Sequence, residues 1–382
     1  MKKYLSLLMC LFVGSWMLVS CNDDDDRTWV VSEPVADGVL ILNQGSYFSQ
    51  IDGSIDFLDY GTNKVFRNCF KNKNNRALGG TPNSVVGVTV GGKNYLFVAC
   101  CDENRIEVMD AFTFESIKAI EVPSPRCLDV ASNGSVYVTS YDGRVRKINP
   151  ATREIDVVSE KIGDYLEGIV VMGNYVYVCD AYSKTDPSTF VYHTNVVKLN
   201  ASNLARVKNI TVAANPNILL TDGTNVYVDC WGNYADVNAT VQQINASDEV
   251  TTLTSARLMA LYKDKLYLVN TTYDEHWNEV SSYKVFNLNT KEEKTFVAGS
   301  EIVSPVAIGV DQLTGDVFIS SYSKNADTGM IAYAGDGYLA RYKQDGTFVD
   351  RYTVGVGPGS MIFYFHWNSR IVTDPSQLPS GE

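Results

Sequence analysis

Hydrophobic and aromatic residues recur along the chain in short segments of one type. Each segment sets an aromatic or large aliphatic residue between aliphatic neighbours, a pattern typical of strands. The seven segments are Val39–Leu42, Tyr95–Val98, Ser135–Val138, Tyr175–Val178, Asn225–Val228, Lys265–Leu268 and Asp316–Ile319. Equivalent residues run from Leu40 to Val317 in steps of 56, 40, 40, 50, 40 and 51. Steps of this size, about four strands each, predict a β-propeller.

Each repeated strand should follow an inner strand of its own blade. The candidate inner strands are Ser84–Val90, Cys127–Ala131, Gly168–Met172, Asn217–Thr221, Leu258–Tyr262, Val306–Val310 and Met361–His366. Nothing suitable precedes Val39, so Met361–His366 must complete the first blade. The sequence therefore predicts an all-β fold, a seven-bladed β-propeller closed by a C-terminal strand in blade one. Closure of this kind removes free sheet edges.

Two sets of loops should share one face, because antiparallel strands return the chain to the same side at every second turn. We call it the loop face; it holds the segments that start the inner strands and those that leave the repeated strands. The leaving segments are Gln44–Gly53, Cys101–Asn104, Tyr141–Gly143, Ala181–Thr194, Trp231–Asn238, Thr271–Val280 and Tyr322–Gly337. Variable loops on a rigid scaffold commonly carry function. The opposite face should hold short tight turns.

Aromatic residues concentrate in the leaving loops. They are Tyr47, Phe48, Tyr141, Tyr182, Phe190, Tyr192, Trp231, Tyr234, Tyr273, Trp277, Tyr322 and Tyr333. Tyr141, Trp231 and Tyr322 hold equivalent positions, so we expect them to ring the mouth of the central channel. Such rings suit a large, partly planar ligand. The alternative is that the rings only pack the loops, since Tyr is also common in strands.

Charged residues limit the classes of function. A net charge of −12 without a basic run outside the N-terminus argues against nucleic acid as a partner. Arg126 and Arg257 start inner strands and are placed to meet an anionic group. The alternative for them is an ion pair with Asp164 or Glu167 across neighbouring blades.

Catalytic motifs are sparse. The three histidines, His193, His276 and His366, have no zinc-site spacing, and no G-x-S-x-G motif occurs. Asp-Gly dipeptides are above all hairpin turns and only weakly suggest calcium. We therefore predict no catalytic residue, no metal site and no cofactor.

The N-terminus has the features of an export signal. Lys2 and Lys3 precede an apolar run, and Leu18-Val19-Ser20-Cys21 resembles a bacterial lipobox. We predict a signal peptide at 1–20, a lipidated Cys21 with an acidic spacer at 21–30, a propeller at 31–372 and a tail at 373–382. The membrane contact would be a lipid anchor. The acidic run at 22–26 resembles a surface-display signal; a solvated spacer is the alternative.

Six further cysteines leave disulfide bonding open in an exported chain. They are Cys69, Cys100, Cys101, Cys127, Cys179 and Cys230. A bridge from Cys100 or Cys101 to Cys127, in adjacent blades, is geometrically the easiest.

The whole pattern of lipobox, acidic run, seven strand repeats and aromatic loops resembles the YncE-like propellers of Bacteroidota. More narrowly, it resembles their BtuG-type cobalamin-binding surface lipoproteins. The resemblance implies a protein that is not an enzyme, is anchored at the outer-membrane cell surface, captures cobalamin or a related corrinoid, and delivers it to a BtuB-like TonB-dependent transporter. The alternatives are a glycan- or protein-binding surface propeller and a propeller lactonase or lyase.

A corrinoid calls for aromatic walls against its ring, polar groups for its amide rim and a cation for its phosphate. The expected ligand-binding residues are Gln44, Tyr47, Arg126, Ser140, Tyr141, Asp180, Tyr182, Trp231, Asn270, Trp277 and Tyr322. Coordination of cobalt by His193 or His276 is an alternative to purely peripheral contacts.

Overall fold

Seven antiparallel sheets make up the computed structural model, which describes residues 18–20, 28–275, 279–297 and 302–373. Each sheet is one blade, so the protein is a seven-bladed β-propeller, as predicted. Cys21, His276 and Trp277 lie outside the described residues, together with most of the predicted signal peptide and the tail after 373. No helix in the described part of the chain is long and apolar enough to cross a bilayer.

The strands of each blade, from the channel outward, are as follows. Blade 1 contains Pro358–Val372, Thr28–Asn43, Ser54–Asp59 and Lys64–Phe66, with Leu18–Ser20 paired to the start of Thr28–Asn43. Blade 2 contains Pro82–Val90, Lys93–Cys100, Arg105–Asp110 and Ser116–Glu121; blade 3 contains Pro125–Val130, Val136–Ser140, Val145–Asn149 and Glu154–Val158. Blade 4 contains Tyr165–Met172, Tyr175–Asp186, Thr189–Asn200 and Arg206–Thr211; blade 5 contains Pro216–Thr221, Val226–Cys230, Thr240–Ile244 and Val250–Thr254. Blade 6 contains Leu258–Tyr262, Lys265–Tyr273, Glu279–Asn287 and Glu293–Val297; blade 7 contains Ser304–Val310, Val317–Tyr322, Gly337–Tyr342 and Phe348–Val354.

The ring closes through the C-terminal strand. Pro358–Val372 pairs with Thr28–Asn43 and contacts the inner strands of blades 2 and 7. The predicted closure is thus confirmed, although the strand is longer than the expected Met361–His366. After His366 the strand continues because residues 367–372 pair with residues 29–34, from Trp367 opposite Pro34 to Val372 opposite Trp29.

The hydrophobic core lies between neighbouring blades. In the six repeats with a central aromatic residue, that residue packs against the next blade, and Tyr137, Tyr177, Tyr227 and Tyr267 are at most 2% exposed. The Tyr137 hydroxyl donates to the Ala201 carbonyl of the next blade at 2.6 Å, which satisfies the buried phenol. The repeated strand pattern is therefore the signature of inter-blade packing.

Four inner strands begin with the same local structure at the channel mouth. Their first residue is proline, which lacks an N–H to donate and is tolerated at a strand start. The residue before it has a positive φ: 45° at Thr81, 37° at Ser124, 61° at Asn215 and 64° at Gly357. The N–H groups of Cys101, Tyr141 and Trp231 donate to the carbonyls of Thr81, Ser124 and Asn215 at 3.1, 3.1 and 2.9 Å. These repeated bonds confirm that the three donors occupy equivalent positions.

Three segments differ from expectation. In the predicted loops Ala181–Thr194 and Thr271–Val280, most of the described residues belong to paired strands, with Tyr182 opposite Tyr192 and Thr272 opposite Val280. Their alternating aromatic and β-branched residues continue the hairpins past the blades. An unexpected helix, Cys69–Asn74, follows blade 1 and is held by Phe70, which is 1% exposed.

Candidate functional site

Six aromatic rings form a continuous strip across blades 3, 4 and 5 of the loop face. We call them the aromatic strip: Tyr141, Tyr165, Tyr182, Phe190, Tyr192 and Tyr234. Successive ring centroids lie 4.9, 4.6, 5.4, 6.2 and 5.9 Å apart. Tyr165 and Tyr182 stack with their planes only 9° apart. Contacts of this kind stabilise the rings relative to one another by about 1 kcal/mol per pair.

The extended hairpin of blade 4 sets the middle of the strip. Side chains alternate between the two faces of a strand pair, so Tyr182, Phe190 and Tyr192 share one face. Ser183 and His193 therefore belong to the other face. Pairing of the two strands thus aligns the rings and separates them from the polar side chains of the same hairpin.

Cations lie over the rings. The Lys184 ammonium is 5.2 Å from the centroid of Tyr165 and 4.7 Å from that of Phe190, while the Arg257 guanidinium is 4.6 Å from that of Tyr234. Such contacts contribute about 0.5–1 kcal/mol at exposed sites. The strip consequently combines flat apolar surface with positive charge.

Arg126 forms the ion pair that the sequence left as the alternative. Its Nε and Nη2 donate to Glu167 Oε2 at 3.0 and 2.8 Å, and Tyr141 Oη donates to Glu167 Oε1 at 2.5 Å. Burial opposes the charge of Arg126, but the charge and hydrogen bonds of Glu167, together with Tyr141 and Cys127, raise the pKa of Arg126 overall. Burial, reinforced by Glu167, also raises the pKa of Tyr141. Arg126 and Tyr141 of blade 3 thus both bind Glu167 of blade 4, and we call this inter-blade contact the Arg126–Glu167–Tyr141 joint.

Trp231 lines a cavity at the channel mouth rather than the strip. The cavity measures about 410 Å³, receives residues from all seven inner strands and also touches Gln44 and Arg126. The neighbouring Asp229 is fully buried, and burial raises its pKa well above the usual carboxyl range despite the charge of Arg257. A cavity of this size suits a small ligand.

Two expected polar contacts are directed elsewhere. Ser140 is fully buried and accepts a hydrogen bond from Arg146 Nη1 at 3.0 Å, so it does not reach the loop face. Asp180 is buried and hydrogen-bonded to His193 Nδ1 at 2.9 Å. Both were expected on the surface because they end the repeated strand pattern. Ser140 does end its strand but is buried, whereas the strand of Asp180 continues to Asp186 in the extended hairpin. Asn270 is half-buried, and its carbonyl accepts from the Ser282 hydroxyl at 3.5 Å.

Aromatic residues of blades 1 and 7 stand apart from the strip. Tyr47 and Phe48 are 71% and 97% exposed and touch edge to face, with centroids 5.6 Å apart. Tyr322 and Tyr333 form a second pair at 5.0 Å. The described residues show no ring contact joining either pair to the strip.

Sequence analysis missed Tyr165 and did not select Phe190, Tyr192 or Tyr234 as ligand contacts. Tyr165 lies in a segment that starts an inner strand, whereas the aromatic residues expected at the site all lie in the leaving loops. The available signal was the alternation of Phe190-Val191-Tyr192, which is strand-like.

The described residues contain neither a disulfide bond nor a cluster of metal ligands. The six cysteines of the described residues are all unpaired, including Cys100, Cys101 and Cys127. Within the same residues, no group of three or more His, Cys, Asp or Glu side chains is arranged to hold a metal ion.

Comparison with known proteins identifies the fold. No protein-family model and no curated protein matches the chain. A Quinonprotein alcohol dehydrogenase-like protein from Bacteroides thetaiotaomicron VPI-5482 is similar, with a TM-score of 0.61, 15% identity and coverage of 88% of this chain and 85% of that one. Kuenenia stuttgartiensis hydrazine synthase has a TM-score of 0.57 and 13% identity, with coverage of 73% of this chain and 88% of that one. Virginiamycin B lyase from Staphylococcus aureus has a TM-score of 0.51 and 12% identity, with coverage of 75% of this chain and 94% of that one. At these identities the likeness extends to the fold alone: the chain is a β-propeller.

Proposed function

We propose that this propeller is a binding lipoprotein that captures cobalamin or a related corrinoid on its loop face. The observation that carries the proposal is the aromatic strip, a preformed apolar surface that spans three blades. A rigid surface loses little entropy when a ligand binds, which favours tight capture. The channel-mouth cavity is suited to drug-sized molecules, so a corrinoid would lie across the face above it.

The contact set differs from the one expected from sequence. Arg126 is neutralised by Glu167, so Lys184 and Arg257 are the cations available to a phosphate. Tyr182 stays at the centre of the proposed site, with Tyr165, Phe190 and Tyr192 added. Gln44 and Trp231 would meet the part of the ligand that faces the channel.

A desalting experiment tests the ligand. Purified protein mixed with cyanocobalamin and passed through a desalting column should elute with the pink chromophore. A colourless protein fraction would rule out corrinoid capture. Binding to insoluble polysaccharides in that case would favour the glycan-binding alternative, for which the same strip offers a stacking surface.

Anchoring and delivery form a separate part of the proposal. We propose that Cys21 carries lipid, that the protein lies on the outer-membrane surface, and that it passes its ligand to a BtuB-like TonB-dependent transporter. Cys21→Ala should abolish incorporation of radiolabelled palmitate and release the protein from the membrane fraction. Unchanged incorporation would remove the anchor from the proposal.

A further inference from the structure

A hydrogen-bonded chain of Asp, His and Ser side chains lies on the blade 4 hairpin. Asp180 Oδ1 is 2.9 Å from His193 Nδ1, and His193 Nε2 is 3.0 Å from Ser183 Oγ. Asp180 is 7% exposed, whereas Ser183 and His193 are half-buried and remain open to solvent. This is the relative arrangement of orienting acid, base and nucleophile found in serine hydrolases.

The hydrogen bonds also fix the tautomer that such chemistry needs. An ionised carboxylate can only accept, so Nδ1 of His193 carries the proton. Nε2 is then free to accept the Ser183 hydroxyl proton, as a general base must. A β-bulge after Asp180 brings the three side chains to one face of the hairpin, opposite Tyr182 and Tyr192. Gly163 packs against the acid: an added Cβ would lie 2.3 Å from Asp180 Oδ1, so only glycine leaves room for this carboxylate.

We propose that Ser183 is a nucleophile activated by His193 and positioned by Asp180, and that its substrates are carboxylic esters. Ser183 Oγ bonds to the acyl carbon while its proton passes to His193 Nε2. The ester C–O bond breaks, and the leaving alkoxide takes that proton and departs as the alcohol. Water then attacks the acyl-serine in the same manner, which releases the carboxylic acid and restores Ser183. Sequence motifs could not indicate this site because its residues are set by strand pairing, not by a nucleophile-elbow signature.

Covalent labelling of the full chain tests the proposal. A fluorophosphonate probe followed by peptide mass mapping should mark Ser183, and His193→Gln should slow labelling at least ~100-fold. Ser188→Ala, in the same hairpin but bonded to Asp186, is the matched control and should leave labelling unchanged. Absence of label at Ser183, or equal labelling in His193→Gln, would overturn the proposal and leave a network that only stiffens the hairpin.

Two further variants separate activation from folding. Ser183→Cys should be alkylated by iodoacetamide faster than Ser188→Cys, because only the first thiol can transfer its proton to His193. Asp180→Asn should slow fluorophosphonate labelling and move the His193 proton to Nε2, visible in the ¹⁵N shifts of the ring, while the thermal melt shows the variant folded. Equal alkylation of the two thiols, or unchanged ring shifts with unchanged labelling, would contradict the assigned roles. Cyanocobalamin retention is measured separately, so failure of either proposal leaves the other standing.

Discussion

Two arcs of the loop face carry similar residues in different settings. In blades 3 to 5, the aromatic strip is held by strand pairing, ring contacts and the Arg126–Glu167–Tyr141 joint. In blades 1 and 7, the rings form two separate pairs: Tyr47 and Phe48 on one loop, and Tyr322 at a strand end with Tyr333 on the loop that follows. The difference shows that aromatic content alone does not make a preorganised surface; the backbone beneath it must also be fixed.

Loss of Arg126 should have the largest effect. Arg126→Ala leaves the buried Glu167 carboxylate without its cation, and we expect the free energy of unfolding to fall by about 3 kcal/mol. The matched change in blade 1 is Arg370→Ala, which breaks an exposed pair with Glu33 and should cost below about 0.5 kcal/mol. Urea denaturation of both variants measures the contrast. Equal losses in the two variants would mean that the Arg126–Glu167 ion pair stabilises the fold no more than an exposed pair does.

The pH dependence of stability compares blade 3 with blade 7 at two carboxyl groups away from the loop face. Burial raises the pKa of Asp129, on the inner strand of blade 3, to about 6, although the Val171 N–H donates to it at 2.6 Å. Because the folded pKa exceeds the unfolded one, this residue's contribution to stability falls as pH rises from about 4 to about 6. Asp129→Asn should remove that slope and raise the free energy of unfolding above pH 7 by about 2–3 kcal/mol.

Asp345 in blade 7 provides a control of opposite sign. The backbone N–H of Thr347 lowers the pKa of this exposed carboxyl, so its contribution to stability is present at neutral pH and lost in acid. Thermal melts from pH 2 to 8 should therefore show opposite trends, each relative to the parent. Asp129→Asn gains stability as pH rises from about 4 to about 6, whereas Asp345→Asn loses stability as pH rises through the range below about 4. Parallel trends would contradict the burial of Asp129.

Ligand capture should depend on the strip more than on the other arc. Tyr182→Ala removes the central ring, and we expect the Kd for cyanocobalamin to rise ~30-fold, equivalent to about 2 kcal/mol. Tyr47→Ala should change it less than about threefold, since an exposed ring outside the strip adds little. Titration calorimetry compares the two. Comparable losses would show that the ligand spans the whole face.

The smallest effect is expected at the tip of the blade 1 loop. Phe48 is 97% exposed, so Phe48→Ala should change the free energy of unfolding by less than about 0.5 kcal/mol. Denaturant titration beside the parent protein gives the value. A larger loss would show that this loop packs against the body of the propeller.

Much of the architecture could be predicted because period-2 alternation and the repeat length report directly on strand pairing. Leu258–Tyr262 has the bounds predicted from sequence. The other inner strands are longer than predicted at one or both ends, and Cys127–Ala131 also loses Ala131, since the observed strand is Pro125–Val130. The site was harder. Ser140 and Trp231 both follow the repeat register, yet one is buried against Arg146 and the other faces the channel. The repeat register predicts where along its blade a residue lies, but it does not predict which residues its side chain contacts.

Sequence periodicity was enough to predict seven blades, their closure by the C-terminal strand and the concentration of rings on one face, because strand repeats and the return of antiparallel strands are local properties. Three features required the folded molecule: which rings touch, the ion pair of Arg126 with Glu167, and the contact of His193 with Asp180 and Ser183. These contacts depend on hairpin extension, a β-bulge and the packing of neighbouring blades, and such features leave no periodic pattern in the sequence.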